Sequence, residues 1–464
     1  MILRAATSVD TTRKEAFLLA ARALGDVHAR TASGRYVALA TRLARSDGAW
    51  LTRMTAWMRR HEALRELRLA TVAELAQARV EAGSAGARQL IDQCLCRADE
   101  PGEFLAYWLQ WYGRALPKPV KRGIADAAVR LYDERALATY DSPAAPLRFA
   151  DVLALTHPTP RDAVQAAVFH HAVARRRGDV HLISKVLPLS RARRALYQIP
   201  PTRRAALVQR PGGAAKLAEA AMGWATVQRW LLGRMTGPAW AAVAPSMSYR
   251  ERLALLADFD RDGLPDGTAH RLAEELAAPA EVLRCGVTPL EVYAAARQVP
   301  GSRWSRALTA ALELSLANVP ALPGRTLVVI DRGDLMAGTA HGLPTRADRM
   351  AVLGAALACR AAHAQIVLLG TAAVSLPVRP REPLLDLLGR FGAPGGGVAD
   401  PGQAVRAYAA GWDRVVVLTH PDRAAESAEA VTGAGQEHVI TDVSVGWFTA
   451  IPHVEMARAA DWPF

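Results

Sequence analysis

A chain of 464 residues with 51% hydrophobic and 22% charged side chains carries enough apolar surface for two or three cores and too much to stay disordered. Its formal charge of +13 and pI near 10.1 exclude an acidic surface and point to a polyanionic partner. No stretch of about 18 consecutive apolar residues exists, which argues against a membrane span, and the opening MILRAATSVDTTRKEAF lacks the apolar core of a secretion signal. The four cysteines, Cys94, Cys96, Cys285 and Cys359, form neither a disulfide framework nor a paired zinc pattern. A reducing cytoplasm is the expected location.

From residue 10 to about 315 the chain reads as helix after helix. Thr12–Leu24, Trp50–Leu64, Leu67–Ala82 and Ala87–Cys94 carry apolar residues at three- and four-residue steps. Gly83, Gly102, Gly113, Pro117, Pro119, Pro143, Pro158 and Pro160 supply stop signals between such segments. In Trp50–Leu64, Trp50, Met54, Trp57 and Met58 share a face that one helix cannot bury alone. The rhythm predicts stacked helical pairs like those of HEAT-type solenoids.

Three basic or histidine-bearing segments lie within this helical part. Arg114, Lys118, Lys121 and Arg122 gather around Pro117 and Pro119 where a helix opens, so side-chain charge and free backbone N–H groups coincide. His157 sits at a helix end before Pro158; a histidine there is ordinarily a cap. Residues 175–210 hold ten arginines and lysines against Asp179 alone. They include Arg175, Arg176, Arg177, Lys185, Arg191, Arg193 and Arg194. Gly178, Pro188, Pro200 and Pro201 predict a loop-like tract, suited to gripping phosphate oxygens through planar guanidinium forks. His170, His171 and His181 lack metal-ligand spacing. Cys94 and Cys96 read as helix packing.

The character changes after Pro320 and Pro323. The apolar runs Thr326–Ile330, Gln365–Gly370 and Arg414–Thr419 alternate with helical patterns at Arg346–Ala362 and Pro401–Ala410. This predicts a parallel sheet covered on both faces by helices, with domains at 1–323 and 324–464. The two parts differ in charge. Residues 1–323 carry 45 basic and 30 acidic side chains, and residues 324–464 carry 12 and 14, so the positive excess belongs to the helical part. The first strand ends at Asp331, where an open α/β sheet places ligands and a carboxylate suits Mg²⁺. No phosphate-binding Gly-rich loop, nucleophile elbow or acidic metal cluster appears, so no catalysis is expected.

Four segments together resemble the Ro (TROVE) family. They are Tyr112–Leu116 followed by Arg122–Asp126, Asp151–Pro160, Trp230–Met235, and Val287–Ala296. They read like the family's G-R-A-L…R-K-A-I-A-D, D-L-L-R-L-S-H-x-K-P, A-L-L-R-N-L-G-K-M and I-H-P-F-H-I-L-I-A-L segments, in the same order. The resemblance implies a ring of HEAT-like helical repeats closed by a von Willebrand factor A-like α/β domain. It implies binding of small structured non-coding (Y-like) RNA and of misfolded RNA ends, as a chaperone or tether in RNA quality control. An exoribonuclease such as polynucleotide phosphorylase is an implied partner, and a monomer the implied state. His157 and Arg114, Lys118, Lys121 and Arg122 become RNA contacts by this resemblance. The alternative reading is a protein-interaction scaffold.

At the family's metal site the chain departs from the pattern. Where D-x-S-x-S is usual it reads Asp331-Arg332-Gly333-Asp334-Leu335, the second loop at Gly395–Val398 lacks its Thr, and His420 stands in place of a later Asp. Arg332 is expected to set a positive charge beside Asp331. No bound Mg²⁺ is therefore expected.

Overall fold

The computed structural model of the protein describes residues 2–26, 34–179, 183–336, 344–392, 401–408, 410–433 and 435–464. It forms two compact units, one of Met1–Ala23, His28–Ser246 and Ala460–Phe464, the other of Leu24–Val27 and Met247–Ala459. The expected boundary at 323/324 falls inside the second unit.

The first unit is helical among its described residues. Helices pack in sequence-near pairs, Gly34–Ser46 on Arg65–Glu81, Ala87–Cys94 on Lys118–Leu131, and Phe149–Thr156 on Ala163–Arg176. The Trp50 face behaves as its spacing predicts: Trp50, Met54, Trp57 and Met58 are buried while Arg53, Arg59 and Arg60 are exposed. The helix itself runs only over Gly48–Met58. Its last turn tightens through i→i−3 bonds from Arg60 N–H to Trp57 O and from His61 N–H to Met58 O. His61 is extended, and a separate short turn, Glu62–Leu64, replaces the continuation expected to Leu64.

The tail of the chain completes this core. Trp462 packs edge-on against Phe17 at 5.5 Å and Trp50 at 5.2 Å, and Phe464 adds a further edge contact to Phe17 at 5.7 Å. Such aromatic pairs contribute about 0.5–1.5 kcal/mol each beyond the area they bury. Arg60 also donates to the carbonyl of Pro463, 403 residues away.

The second unit begins with helices, including Asp266–Ala277, Pro289–Gln298 and Ser305–Ser315, and turns to alternating strand and helix at Leu322. Five strands follow: β1 (Leu322–Asp331), β2 (Ala361–Leu369), β3 (Ala373–Pro377), β4 (Arg414–Leu418) and β5 (Gln436–Ile440). Their order is β3-β2-β1-β4-β5. β2, β1, β4 and β5 run parallel and β3 antiparallel at the edge, so the sheet is mixed rather than wholly parallel. The three strands predicted from apolar runs are the central ones, and all of Thr326–Asp331 and Arg414–Leu418 is buried. Helix Arg346–Arg360 packs so close to β1 that a Cβ on Gly354 would come within 2.6 Å of Ile330.

An Arg414–Glu455 ion pair with His438 beside it braces this sheet. Arg414 on β4 grips both carboxylate oxygens of Glu455 at 2.5 Å, and His438 on β5 meets the same carboxylate at 2.9 Å. Burial alone pushes the Glu455 carboxyl up, but the hydrogen bonds from Arg414 and His438 outweigh it and bring it down to about 2. Burial holds His438 below its ordinary value, so its neutral ring donates to a charged Glu455.

Candidate nucleic-acid interface

The basic helix start and the His157 segment, some 35 residues apart in sequence, line one groove of about 920 Å³ in the first unit. Lys118, Lys121 and Arg122 come from the first turns of helix Lys118–Leu131, His157 and Arg161 from the end of helix Phe149–Thr156 and the segment after it. Two local features set this arrangement. Pro119 opens the helix where its missing N–H costs nothing. Gly123, one residue beyond Arg122, lets the helix approach Ala87–Cys94 closely, since a Cβ there would lie 2.7 Å from the Arg88 carbonyl oxygen.

His157 ends helix Phe149–Thr156. Its N–H donates to Leu153 O at 3.0 Å, and its backbone is left-handed, with φ 51 and ψ 56. A non-glycine residue there carries strain of about 1–2 kcal/mol. The His157 side chain is exposed and makes no hydrogen bond or ion pair among the described residues. Strained backbone holding an unused polar side chain in a groove is a mark of a functional position.

The charges along the groove divide into two kinds. Arg88 is paired with Asp126 at 2.5 and 2.9 Å, and Arg130 with Asp92 at 3.0 Å and Leu95 O at 2.8 Å. Those arginines fasten helix to helix. Lys118, Lys121 and Arg122 have no side-chain partner among the described residues. Arg114 is exposed just before the helix, outside the groove lining.

From Pro188 onward the tract 175–210 is mostly helix rather than the loop its prolines predict. Pro188 and Pro201 occupy the first turns of helices Pro188–Tyr197 and Pro201–Gln209, where proline is favourable. Its cations also go to different places. The Arg175 guanidinium is half-buried, donates to Leu137 O at 3.2 Å and lies 3.6 Å from Asp141; burial pushes its pKa down. Arg176 pairs with Asp151 at 3.1 Å. Arg177 and Lys185 are exposed beside a second cleft and the chain following it, Arg191 is exposed, and Arg193 and Arg194 are half-buried. Arg204, outside the predicted contact set, stacks over Trp230 at 5.4 Å and donates to its carbonyl at 2.6 Å. None of these lines the His157 groove. His171 is buried, while His181 and the Gly395–Val398 loop lie outside the described residues.

Asp331 ends β1 beside β4, where the strand order reverses and open sheets bind their ligands. Its carboxylate is already occupied. Oδ1 accepts from Gly333 N–H at 2.9 Å, and Oδ2 accepts from the Thr419 hydroxyl at 3.0 Å and the Arg423 guanidinium at 3.3 Å. Arg332, expected to neutralise it, turns the other way, as successive strand residues do. It donates to Gly392 O at 2.6 Å and lies over the Phe391 ring. The cation at Asp331 is Arg423, which sequence reading missed. Leu335 is exposed, and His420 caps the short turn Pro421–Arg423 by accepting from Asp422 N–H. No group of three metal-ligating side chains exists among the described residues. Among the described residues the site does not fit the Mg²⁺ that the von Willebrand fold family implies, because the Asp331 carboxylate is already taken by the Arg423 guanidinium, the Thr419 hydroxyl and Gly333 N–H.

No family model matches the chain, and no curated protein matches it. Among solved structures, the crystal structure of the Ro (RSR) protein of Deinococcus radiodurans matches with a TM-score of 0.67 at 19% identity, over 90% of this chain and 93% of that one. The chain has the Ro fold. At 90% of this chain the likeness includes helical and α/β parts alike, whereas the four ordered segments of the sequence lie in the helical part. At this identity it speaks for backbone architecture, and the side-chain chemistry of the groove and of the Asp331 end rests on this chain's own residues. No helix among the described residues is long and apolar enough to cross a membrane.

Proposed function

We propose that this Ro-fold protein is a non-catalytic RNA-binding protein of the Ro family. It takes structured RNA of the small non-coding, Y-like kind, or misfolded RNA with a single-stranded end, in the Lys118–His157 groove. One observation carries the reading: Lys118, Lys121, Arg122 and the strained His157 converge on one groove with their polar groups uncommitted among the described residues. Cations held ready in a groove gain affinity from phosphates through release of counterions. A structured RNA is met by shape and backbone, because its major groove is too narrow for side chains. The confinement of the positive excess to residues 1–323 supports the same partner.

Within this reading the protein is a chaperone or tether, monomeric and cytoplasmic, and an exoribonuclease such as polynucleotide phosphorylase is the enzyme it would serve. The Asp331 end is structural and holds no Mg²⁺. Gel-shift titration of a hairpin RNA with a 3′ single-stranded tail tests the proposal. Binding should weaken steeply with salt, and Lys121→Gln/Arg122→Gln should lower the slope of log K against log salt by about 2. Absence of binding at low salt removes the RNA reading.

A further inference from the structure

A second basic cleft of about 670 Å³ lies in the helical unit, lined by none of the residues of the His157 groove. Arg135, Arg193 and Arg229 enter it from three different helices, Glu134–Tyr140, Pro188–Tyr197 and Trp224–Trp230. Among the described residues no carboxylate lines it. Among the described residues the side chains of Arg135 and Arg193 make no hydrogen bond or ion pair, and the Arg229 side chain reaches only the Ala225 carbonyl of its own helix at 3.3 Å. Elsewhere in this unit several arginines between helices are paired with acids, as Arg88 is with Asp126 and Arg148 with Asp141. Three like charges sharing one cleft without a counter-ion raise the energy of the free protein, a conflict that folded chains keep at functional sites.

The remaining walls narrow the ligand. Ala214 and Ala218 present methyl groups from exposed positions of helix Gly213–Glu219, over buried Leu217 and Met222. The Thr226 hydroxyl adds one neutral polar group. Three guanidinium forks favour a group of charge near −2 with several oxygens, which a phosphate supplies and a single carboxylate does not. The volume lies within the roughly 300–1,000 Å³ of small-ligand sites, far more than a bare phosphate fills. We propose that this cleft binds a nucleotide, its phosphate on the three arginines and its base across the alanine wall. A free nucleotide and a nucleotide within a strand present the same chemistry. The inference does not rest on the His157 groove.

Calorimetric titration of the full chain at low salt tests it, with adenosine monophosphate, adenosine, inorganic phosphate and a short single-stranded oligonucleotide. The monophosphate should bind at least about tenfold more tightly than adenosine or phosphate alone. Arg193→Gln/Arg229→Gln and, separately, Ala218→Glu should each weaken it by at least about tenfold with an unchanged circular dichroism spectrum. Lys121→Gln/Arg122→Gln should leave it unaltered. An oligonucleotide that binds more tightly than the monophosphate and loses affinity in the same cleft variants assigns the site to a strand; one no tighter assigns it to the free nucleotide. No binding at millimolar monophosphate overturns the proposal. So does binding that the cleft variants do not change, or that the groove variant abolishes.

Discussion

The His157 groove and the Asp331 strand end use charge in opposite ways. In the groove, Lys118, Lys121 and Arg122 stand apart from the Arg88–Asp126 and Arg130–Asp92 pairs that hold the helices together. At the strand end, the one buried carboxylate is matched inside the chain by Arg423, Thr419 and Gly333. The strand end is where an open α/β sheet binds ligands, yet its charge is matched within the chain, whereas the groove's cations are uncommitted among the described residues. Position in a fold marks where a site can be, and the state of its polar groups marks whether one is there.

The contrast is broken most forcefully at Arg423. Arg423→Ala leaves Asp331 charged and buried, and should cost about 3–5 kcal/mol in urea unfolding. Adding Asp331→Asn should recover most of that loss; a double variant as unstable as the single one would show that Arg423 acts through packing alone. In the groove, Lys121→Glu/Arg122→Glu should lower RNA affinity on the order of 100-fold while leaving the unfolding midpoint within about 0.5 kcal/mol of the parent. A large stability loss there would mean that those side chains are structural after all.

The sheet beneath the strand end should respond to acid. The unfolded Glu455 carboxyl, with an ordinary value of 4.5, takes up protons before the folded one at about 2 does, so its stabilisation is whole above 4.5 and drains as pH falls toward 2. His438 acts with the same sign from higher pH: held below 6.5 when folded, it is protonated first in the unfolded chain. Melting temperature should fall steadily below pH 6.5, and His438→Gln should flatten the upper part of that fall. An unchanged slope would remove His438 from the account. A smaller effect is expected at His157, where His157→Gly should relieve the left-handed strain and stabilise by up to about 1 kcal/mol while weakening RNA binding. Gain in both properties would separate the strain from the function. The smallest effect belongs to Mg²⁺, since millimolar Mg²⁺ or its chelation should leave the melting temperature of the wild type unmoved; a rise with Mg²⁺ would show that Arg423 yields its place to the ion.

Much of the architecture was legible in the residues because burial on both faces writes continuous apolar runs. Thr326–Ile330, Gln365–Gly370 and Arg414–Thr419 became β1, β2 and β4 within a few residues. β3 and β5 went unseen: β3 is an edge strand with exposed Val374, and β5 carries Gln436, Glu437 and His438. The prolines of the 175–210 tract signalled interruption, whereas their places at helix starts signalled continuation, a distinction that composition does not carry. The groove was legible as two pieces. That His157 faces the Lys118 turn is a fact of packing, set by close approaches such as that at Gly123. Arg423 had no motif at all, and its relation to Asp331 spans 92 residues.

The aromatic cluster of the helical unit has a consequence for how the chain is made. Phe17, Trp50 and Trp57 are synthesised early, but the rings that close over them, Trp462 and Phe464, leave the ribosome some 400 residues later. Translation at about 5–20 residues per second keeps that pocket open for tens of seconds. Until then Phe17, Trp50 and Trp57 lack the two rings that cover them in the folded chain, and that apolar surface stays exposed to water.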